Sequence, residues 1–384
     1  MFFNRKLAYT YAQVNELMSQ IATPISLYLV PVNEKEERLK FFDDPSYNPR
    51  FMYRKPHKNR GLFNTLERVQ EVSDVDPAIS AYIIDTIKDK KQATELFAAI
   101  GNDDGFPDIS KSRFKVPSYT LFKRACKILR GRFNDISVVE TNEKLANKML
   151  DYDELVPIFS SVFSVLGLDG WRLEKSKAIS SKGFRTVMKT RRIMVDPQVS
   201  VSAEKLRKTI IHEVITHALR GNNGFASGYD VFGKPNVREY LDDEEGLAML
   251  NEERYGVLRA IDVKRRAALV YAVYLGQTLS FRQVFNALCA VYPKQNAYDV
   301  VLRVKRGLSD TSLPGGYTRD ACYLRGFLRL KKRLLDDEIS YRNLYAGKIP
   351  LSAVSLVEEG ILPRPTVYPT KELIAKVFKE TGLV

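Results

Sequence analysis

The spacing of apolar residues predicts a chain made mostly of helices, with a few strands near its middle. Apolar residues recur at helical spacing over residues 203–220, and a helical pattern returns at Asp242 and fills most of the remaining chain. Two stretches, residues 171–177 and 185–195, have the composition of strands and predict a β-hairpin. Nearer the N-terminus, residues 27–32 form an apolar run that predicts one more strand. The pattern therefore predicts an α+β fold with a mostly helical C-terminal half.

The organisation of the chain indicates two regions. No internal repeat and no low-complexity linker is present, but Asn102-Asp103-Asp104-Gly105 interrupts the pattern clearly. The residues before this break carry no motif that indicates chemistry. We therefore predict an N-terminal α/β accessory region over residues 1–110 and a second domain over residues 111–384 that carries the activity.

Composition and charge narrow the class of protein. The chain has 384 residues with an ordinary share of hydrophobic ones, and no apolar run is long enough to span a bilayer. The first residues do not resemble a secretory signal, and the three cysteines lack CxxC spacing, so we predict a cytoplasmic protein without a thiolate metal site. The net charge of +14 favours an acidic partner, which could be an acidic peptide, nucleic acid or an anionic lipid surface.

The most informative motif lies in the predicted helix at residues 203–220. Two of the chain's three histidines, His212 and His217, are five positions apart, and Glu213 follows the first of them. The common zinc-peptidase motif separates its histidines by four positions, so that both lie on one face of the helix. In a regular α-helix a fifth position is rotated by about 140° beyond a full turn. A π-helical insertion would restore the alignment, and such insertions are frequent at functional sites.

The motif indicates a zinc site. The scarcity of histidine in the chain makes a chance pairing of His212 and His217 a poor explanation. Glu213, next to the first histidine, is suitably placed to act as a general base on a water molecule. We therefore predict His212 and His217 as ligands of Zn²⁺ and Glu213 as the base.

The third ligand should be a carboxylate from a later element. A catalytic zinc normally has three protein ligands and keeps one position for water, and no further histidine follows the motif. Residues 241–248, with the sequence LDDEEGLA, begin a helix with acidic residues. Gly246 would allow this helix to approach the motif helix closely. From the residues alone, either Glu244 or Glu245 could be the ligand.

Together these segments resemble a known family, the microtubule-associated tyrosine carboxypeptidases, whose bacterial relatives share a QEGLA motif. The resemblance rests on residues 212–220 (HEVITHALR), Asn223-Gly224 and residues 244–248 (EEGLA). The family's own motif is H-E-x-x-x-H, so the additional residue between the histidines matches it. Further similar segments are residues 48–54 (NPRFMYR), Trp171 with the strand at 192–195, residues 315–326 (GGYTRDACYLRG) and residues 347–349 (GKI). The resemblance covers most of the chain from about residue 45.

The resemblance implies a zincin-like metallopeptidase of the glutamate-ligand type, with a small mixed sheet beside the HExxxH helix. Family members vary at the residue before the second glutamate of EEGLA, which implies Glu245 rather than Glu244 as the ligand. Eukaryotic members remove a C-terminal tyrosine from tubulin. A bacterial-type member would not encounter tubulin. For this chain the resemblance implies a metallocarboxypeptidase whose substrate is the C-terminal tail of a peptide or protein.

We predict further roles for the reaction. Glu213 accepts a proton from the attacking water and passes it to the leaving amine. The substrate lies extended along the predicted edge strand, residues 185–195, by strand addition. Tyr323 and Tyr317 are candidates for stabilising the oxyanion, because a phenol donates a hydrogen bond without carrying charge.

A carboxypeptidase also needs a cation that recognises the terminal carboxylate of its substrate. Arginine suits this role, because its planar guanidinium can donate two parallel hydrogen bonds. Arg319, in the glycine-rich segment, is the first candidate. Arg191 and Arg192, on the predicted edge strand, are the next candidates.

Two other classes of function fit the sequence. One is an endopeptidase or aminopeptidase on the same zinc scaffold, which an open substrate cleft would favour. The other is a non-enzymatic protein that binds nucleic acid or a regulatory partner and carries a structural zinc. A structural zinc normally has four protein ligands and needs no base, so Glu213 speaks against this class. We therefore expect a peptide tail, rather than nucleic acid, as the partner.

Overall fold

The computed structural model describes residues 8–21, 23–56, 60–177, 183–234, 239–336 and 339–384. In chain order, the elements up to residue 170 are β1 (Ala8–Tyr9), α1 (Tyr11–Gln20), α2 (Ile25–Tyr28), α3 (Glu34–Asp43), α4 (Arg60–Leu66), β2 (Glu71–Val72), α5 (Pro77–Ala98), α6 (Gly105–Phe114), α7 (Tyr119–Leu129), α8 (Glu143–Asn147), β3 (Met149–Asp151) and α9 (Tyr152–Leu166). The later elements are β4 (Arg172–Lys175), β5 (Phe184–Val187), β6 (Arg192–Val195), β7 (Ser200–Ser202), α10 (Ala203–Thr209), a π-helix (Ile210–Ala218), α11 (Leu219–Ala226), α12 (Asp230–Gly233), α13 (Tyr240–Arg254), α14 (Ala260–Leu275), α15 (Phe281–Cys289), α16 (Lys294–Lys305), α17 (Cys322–Leu335), α18 (Ser355–Glu358) and α19 (Lys371–Glu380). The predicted α+β class and the mostly helical C-terminal half are confirmed.

The chain forms two compact units. The first contains Met1–Asn134 and Ile261–Arg325, and the second contains Asp135–Ala260 and Gly326–Val384. The predicted boundary near residue 110 falls inside the first unit. The division of roles between residues 1–110 and 111–384 stays a prediction. The π-helix, α13 and strands β3 to β7 all belong to the second unit.

A three-stranded mixed sheet in the second unit has the order β4-β6-β5. Strand β4 pairs with β6 in parallel, and β5 pairs with β6 in antiparallel orientation. The hairpin predicted between residues 171–177 and 185–195 is therefore wrong. The second stretch folds back on itself through a 3-10 turn at Met188–Thr190 and Arg191, whose φ is 49°. As a result β6 is the central strand, and only β5 of the predicted edge strand lies at an edge.

The motif helix is longer than predicted. It begins after Ser202, whose hydroxyl accepts a hydrogen bond from the Lys205 backbone N–H at 3.3 Å, and continues through the π-helix to Ala226. Gly221, which directly follows the predicted range 203–220, lies inside the helix. A Cβ at Gly221 would overlap the Met188 side chain, so glycine serves close packing here rather than helix termination.

Helix α13 begins at Tyr240, two residues before its predicted start. Its Gly246 does permit a close approach, but the partner is α17 rather than the motif helix. A Cβ at Gly246 would lie 2.3 Å from the backbone carbonyl carbon of Gly326. The prediction that Gly246 faces the motif helix is therefore wrong, and other residues of α13 contact the π-helix.

The apolar run at residues 27–32 does not form the predicted strand. Residues Ile25–Tyr28 form α2, and the Leu29 backbone N–H continues this turn by donating to the Ile25 carbonyl oxygen at 2.9 Å. Leu29 is fully buried, whereas Leu27, Val30 and Val32 are at least half exposed, so these side chains do not share the buried face of a sheet. Among the described residues, no helix has the length and apolarity needed to cross a membrane.

Candidate metal centre

The segment that carries both motif histidines is the π-helix, Ile210–Ala218. In a π-helix the backbone hydrogen bonds join residues five positions apart, so such residues are separated by one turn. The ring centroids of His212 and His217 are 4.9 Å apart, and the ring planes are inclined by 84°. The π-helical insertion that the five-residue spacing predicts is present and brings both rings to one side of the helix.

The other sides of the π-helix anchor it in the core of the second unit. The fully buried apolar residues of this segment are Ile210, Ile211, Val214, Ile215 and Ala218. Burying several branched side chains contributes on the order of 1.5–3 kcal/mol for each of them. The histidines are therefore presented by a well-packed, buried element.

Helix α13 brings the carboxylate of Glu245 to the two rings. Oε2 of Glu245 lies 3.6 Å from Nε2 of His212 and 4.0 Å from Nε2 of His217. One ligand atom from each of the three residues lies within 4.8 Å of the others. In the part of the chain that the structure describes, no other group of three or more His, Cys, Asp and Glu side chains has this arrangement. Two imidazole nitrogens and one carboxylate oxygen form a donor set that fits zinc.

Each histidine is held at its other ring nitrogen by a second carboxylate. Nδ1 of His212 and Oε1 of Glu252 are 2.7 Å apart, and Nδ1 of His217 and Oε1 of Glu244 are 2.6 Å apart. A carboxylate at Nδ1 keeps the proton on that nitrogen and leaves the Nε2 lone pair available to a metal. The neighbouring glutamates therefore differ in their surroundings: Glu245 faces both Nε2 atoms, whereas Glu244 orients His217. This geometry favours Glu245 as the ligand.

Glu244 is buried between two cations. The Arg220 guanidinium and the Lys348 ammonium both contact its carboxylate, and Lys348 also donates to the Tyr240 hydroxyl at 2.9 Å. Burial opposes ionisation of Glu244, but Lys348 and Arg220 outweigh burial and hold the pKa of Glu244 well below its ordinary value. Arg220 is itself only 1% exposed and donates to the Ile349 carbonyl oxygen at 2.8 Å. Glu244 is therefore a fixed anion that accepts a hydrogen bond from His217.

The surroundings of His212 favour a positive charge. Burial disfavours the protonated ring, but the nearby carboxylates of Glu245 and Glu252 outweigh burial and raise the pKa of His212 to about 10. The charge can be a proton on the ring or a cation bound between the ring and Glu245. The electrostatics of the site thus agree with the donor set, since both suit a bound divalent cation.

Glu213, the residue directly after His212, is held in place by strand β5. The Thr186 hydroxyl lies 2.6 Å from Oε2 of Glu213, and the Thr186 backbone N–H donates to the same oxygen at 3.2 Å. The hydroxyl also lies 3.0 Å from the Glu213 backbone carbonyl oxygen. These contacts fix the orientation of the Glu213 carboxylate, and a general base needs such a fixed orientation.

The predicted oxyanion candidates lie in the first unit, whereas the three candidate ligands and Glu213 lie in the second. Tyr317 is 3% exposed, and its ring packs edge-on against that of Phe114. The Tyr323 ring lies 3.7 Å from the guanidinium carbon of Arg266. The catalytic roles of both tyrosines stay predictions.

The three arginines predicted to bind the substrate carboxylate lie in different parts of the structure. Arg319 lies in the first unit, with Nη1 3.9 Å from a carboxylate oxygen of Asp320. Arg191 forms the turn before β6 and donates to a backbone carbonyl oxygen at 3.2 Å. Arg192 pairs with the Glu174 carboxylate within the sheet. Binding of substrate by any of them stays a prediction.

Three residues that support the centre were not assigned a role from the sequence, namely Glu252, Lys348 and Thr186. Glu252 follows Glu245 by seven positions, so helical spacing places it two turns further on the same face of α13. This spacing could have predicted that Glu252 lies on the same face of α13 as the candidate ligand. The contact between Lys348 and Glu244 joins residues 104 positions apart, and no local spacing predicts such a contact.

Comparison with known proteins identifies a family that covers most of the chain. The sequence model of the family described as microtubule-associated tyrosine carboxypeptidase matches residues 40–376. Microtubule-associated tyrosine carboxypeptidase 1 of Rattus norvegicus is 26% identical over 307 residues, which cover 79% of this chain and 55% of that relative. The putative tyrosine carboxypeptidase MATCAP2 of Mus musculus is 25% identical over 337 residues, which cover 86% of this chain and 55% of that relative. The chain thus spans about half the length of the curated relatives it matches.

The match includes the residues that build the candidate centre. Its range contains the π-helix, α13, the strand that holds Glu213 and the segment around Lys348. The family resemblance predicted from residues 212–220 and 244–248 is therefore confirmed. Since the family model covers most of the chain, this protein belongs to the microtubule-associated tyrosine carboxypeptidase family.

Proposed function

We propose that this protein is a zinc metallocarboxypeptidase that releases the C-terminal residue from the tail of a peptide or protein. The observation that carries the proposal is the convergence of ligand atoms from His212, His217 and Glu245 within 4.8 Å of one another. The names of the relatives, which are tyrosine carboxypeptidases, support the exopeptidase part and make tyrosine the first terminal residue to test.

The proposed ligands would hold the ion through Nε2 of His212, Nε2 of His217 and the Glu245 carboxylate. When bound, zinc supplies Lewis acidity towards the substrate carbonyl and lowers the pKa of a water molecule. Glu252 and Glu244 hold the two rings at their Nδ1 atoms, so that the rings need little reorganisation when the metal ion binds. In the described part of the chain three side chains converge rather than four, which supports a catalytic site over a closed structural one.

Glu213 is the proposed general base. Its carboxylate takes a proton from the attacking water and delivers it to the amine of the leaving residue. Thr186 keeps this carboxylate in place through its hydroxyl and its backbone N–H. Replacing the base by glutamine keeps the shape of the side chain but removes its basicity, and should slow the reaction by about 10²- to 10⁴-fold.

The proposed substrate is an acidic tail in an extended conformation. The net charge of +14 supports this choice, because a basic protein attracts acidic segments at long range. Strand β5 is an edge strand, and its Thr186 contacts the proposed base. Strand addition at β5 would therefore bring the substrate backbone to the centre.

The test compares the wild type with Glu213→Gln and with Glu140→Gln, a control whose side chain is exposed in the same unit. Each protein is incubated with zinc and with acidic peptides ending in different residues, tyrosine among them. Each peptide is also supplied with an amidated C-terminus. Mass spectrometry follows the products, and the zinc content of each protein is measured.

We expect the wild type and Glu140→Gln to release single C-terminal residues from the free-acid peptides. Glu213→Gln should retain zinc but lose at least about 99% of the activity. Internal cuts in the amidated peptides would support an endopeptidase, and loss of N-terminal residues would support an aminopeptidase. Absence of both cleavage and stoichiometric zinc in the wild type would overturn the proposal and leave a basic binding protein.

A further inference from the structure

The π-helix itself requires an explanation, because the proposed metal centre depends on it. In an α-helical register His217 would point about 140° away from His212 and the two rings would face different surroundings. π-Helical turns are rare, so groups outside the helix must favour this register over the α-helical one. Two residues outside the proposed ligand set form hydrogen bonds that bear on this register: Thr216 within the π-helix and Asn251 on α13.

The hydroxyl of Thr216 is matched to the π-helical register. Thr216 is fully buried, and its Oγ1 donates to the carbonyl oxygen of Ile211, five positions earlier, at 2.9 Å. Thr209, in the preceding α-helical segment, donates from Oγ1 to the carbonyl oxygen of Lys205, four positions earlier, at 3.0 Å. A threonine hydroxyl in a helix bonds the carbonyl group of the preceding turn, so its partner depends on the length of that turn. The bond of Thr216 therefore belongs to a turn of five residues.

Asn251 on α13 fixes the Thr216 hydroxyl in this orientation. The fully buried Asn251 amide donates from Nδ2 to Oγ1 of Thr216 and to the Tyr345 hydroxyl, each at 2.7 Å. The Tyr341 hydroxyl donates to Oδ1 of Asn251, also at 2.7 Å. Since Thr216 accepts from Asn251, its own proton is directed to the Ile211 carbonyl oxygen. A buried network in which every member is satisfied favours one arrangement, because any other leaves polar groups without partners.

We propose that Thr216 and Asn251 are positioning residues that hold the π-helical register and so direct Nε2 of His212 and His217 towards one metal ion. Thr216 directly precedes His217, and Asn251 directly precedes Glu252, which holds His212 at Nδ1. Helix α13 thus supplies a candidate ligand, both orienting carboxylates and the amide that contacts Thr216. This inference rests on the proposed function and deepens it.

The test uses variants that alter hydrogen bonding with little change in volume. Thr216→Val removes the hydroxyl, Thr216→Ser keeps it, and Asn251→Asp removes the donor N–H while keeping the shape. Thr209→Val removes the corresponding hydroxyl from the α-helical segment of the same helix and is the matched control. Zinc affinity is measured by competition with a chromophoric chelator. The visible absorption spectrum of the cobalt(II)-loaded protein reports the ligand geometry, and circular dichroism verifies folding.

We expect Thr216→Val and Asn251→Asp to weaken zinc binding by about 10- to 100-fold and to change the cobalt spectrum. Thr216→Ser and Thr209→Val should resemble the wild type in both measurements. If Asn251→Asp does not fold, the comparison of Thr216→Val with Thr216→Ser tests whether the hydroxyl holds the π-helical register.

Two results would overturn this inference without affecting the proposed function. One is a wild-type zinc affinity and cobalt spectrum in Thr216→Val, and the other is an equal loss of zinc affinity in Thr209→Val. A wild type that binds no zinc would overturn the proposed function, and the inference with it.

Discussion

Each of the two units buries a cluster of charged side chains, and the clusters differ in the kind of group that converges. In the first unit, the fully buried Asp320 lies 2.7 Å from Arg303, 3.6 Å from Arg306 and 3.9 Å from Arg319. Arginine offers only donors, so cations surround an anion. In the second unit, imidazole nitrogens of His212 and His217 converge with a carboxylate oxygen of Glu245. Each of these three atoms has a lone pair that can bind a cation.

The difference teaches which buried charges indicate a ligand site. Burial opposes ionisation of Asp320, but Arg303 and Arg306 outweigh burial and keep the pKa of Asp320 below its ordinary value. The charges of that cluster therefore stabilise one another within the fold. Acceptors that face one another, as at Glu245, are stabilised by a cation placed among them. Buried charge alone does not indicate a metal site, whereas converging acceptors provide the arrangement that a metal ion needs.

The largest expected effect that separates the two clusters is on zinc occupancy. Replacing Glu245 by glutamine removes the only charged ligand of the proposed set, so we expect stoichiometric zinc to fall to a trace after desalting. Asp320→Asn should keep the zinc content of the wild type. Elemental analysis of both purified variants checks this, and full zinc in Glu245→Gln would contradict the assignment of Glu245.

The second effect is on stability, and we expect it from the Asp320 cluster of the first unit. Asp320→Asn leaves three partly exposed arginines without their buried carboxylate, so we expect the free energy of unfolding to fall by about 1–3 kcal/mol. Asp108→Asn, whose side chain is 80% exposed in the same unit, is the control and should change little. Urea unfolding followed by circular dichroism measures both, and equal stability of the two variants would show that the Asp320 cluster contributes little.

A smaller effect is expected from the carboxylates that orient the histidines. Glu244→Gln and Glu252→Gln should each weaken zinc binding by about 10- to 100-fold without abolishing it, because the ligands remain but their rings are held less firmly. Chelator competition measures both affinities. A complete loss in Glu244→Gln, with zinc retained in Glu245→Gln, would reverse the roles assigned to the two neighbours.

The smallest effect is confined to acid. The folded-state pKa of Asp320 lies below its ordinary value of 3.8, so this carboxylate stabilises the fold above that pH and loses its contribution as the pH falls below it. The difference in unfolding free energy between the wild type and Asp320→Asn should therefore shrink as the pH is lowered through this range. A difference that stays constant down to acid pH would contradict the role of the ionised carboxylate.

The sequence by itself determined the part of the site that lies within one helix. The five-residue step from His212 to His217 is local, and fixed helical geometry turns it directly into a requirement for a π-helical insertion. The position of Glu213, the proposed base, directly after His212 follows from the same motif. The α+β class followed from periodicity, because the alternation of apolar and polar residues reflects which face of each element is buried.

The tertiary structure decided the contacts that join distant segments of the chain. Successive residues of an α-helix point about 100° apart, so Glu244 and Glu245 must face different neighbours. Which of them faces the Nε2 atoms depends on how α13 packs against the π-helix. The contacts of Lys348 with Glu244 and of Asn251 with Thr216 join residues 104 and 35 positions apart, and β6 became central because the chain turned back at Arg191. Such contacts follow from packing, which no spacing along the chain encodes.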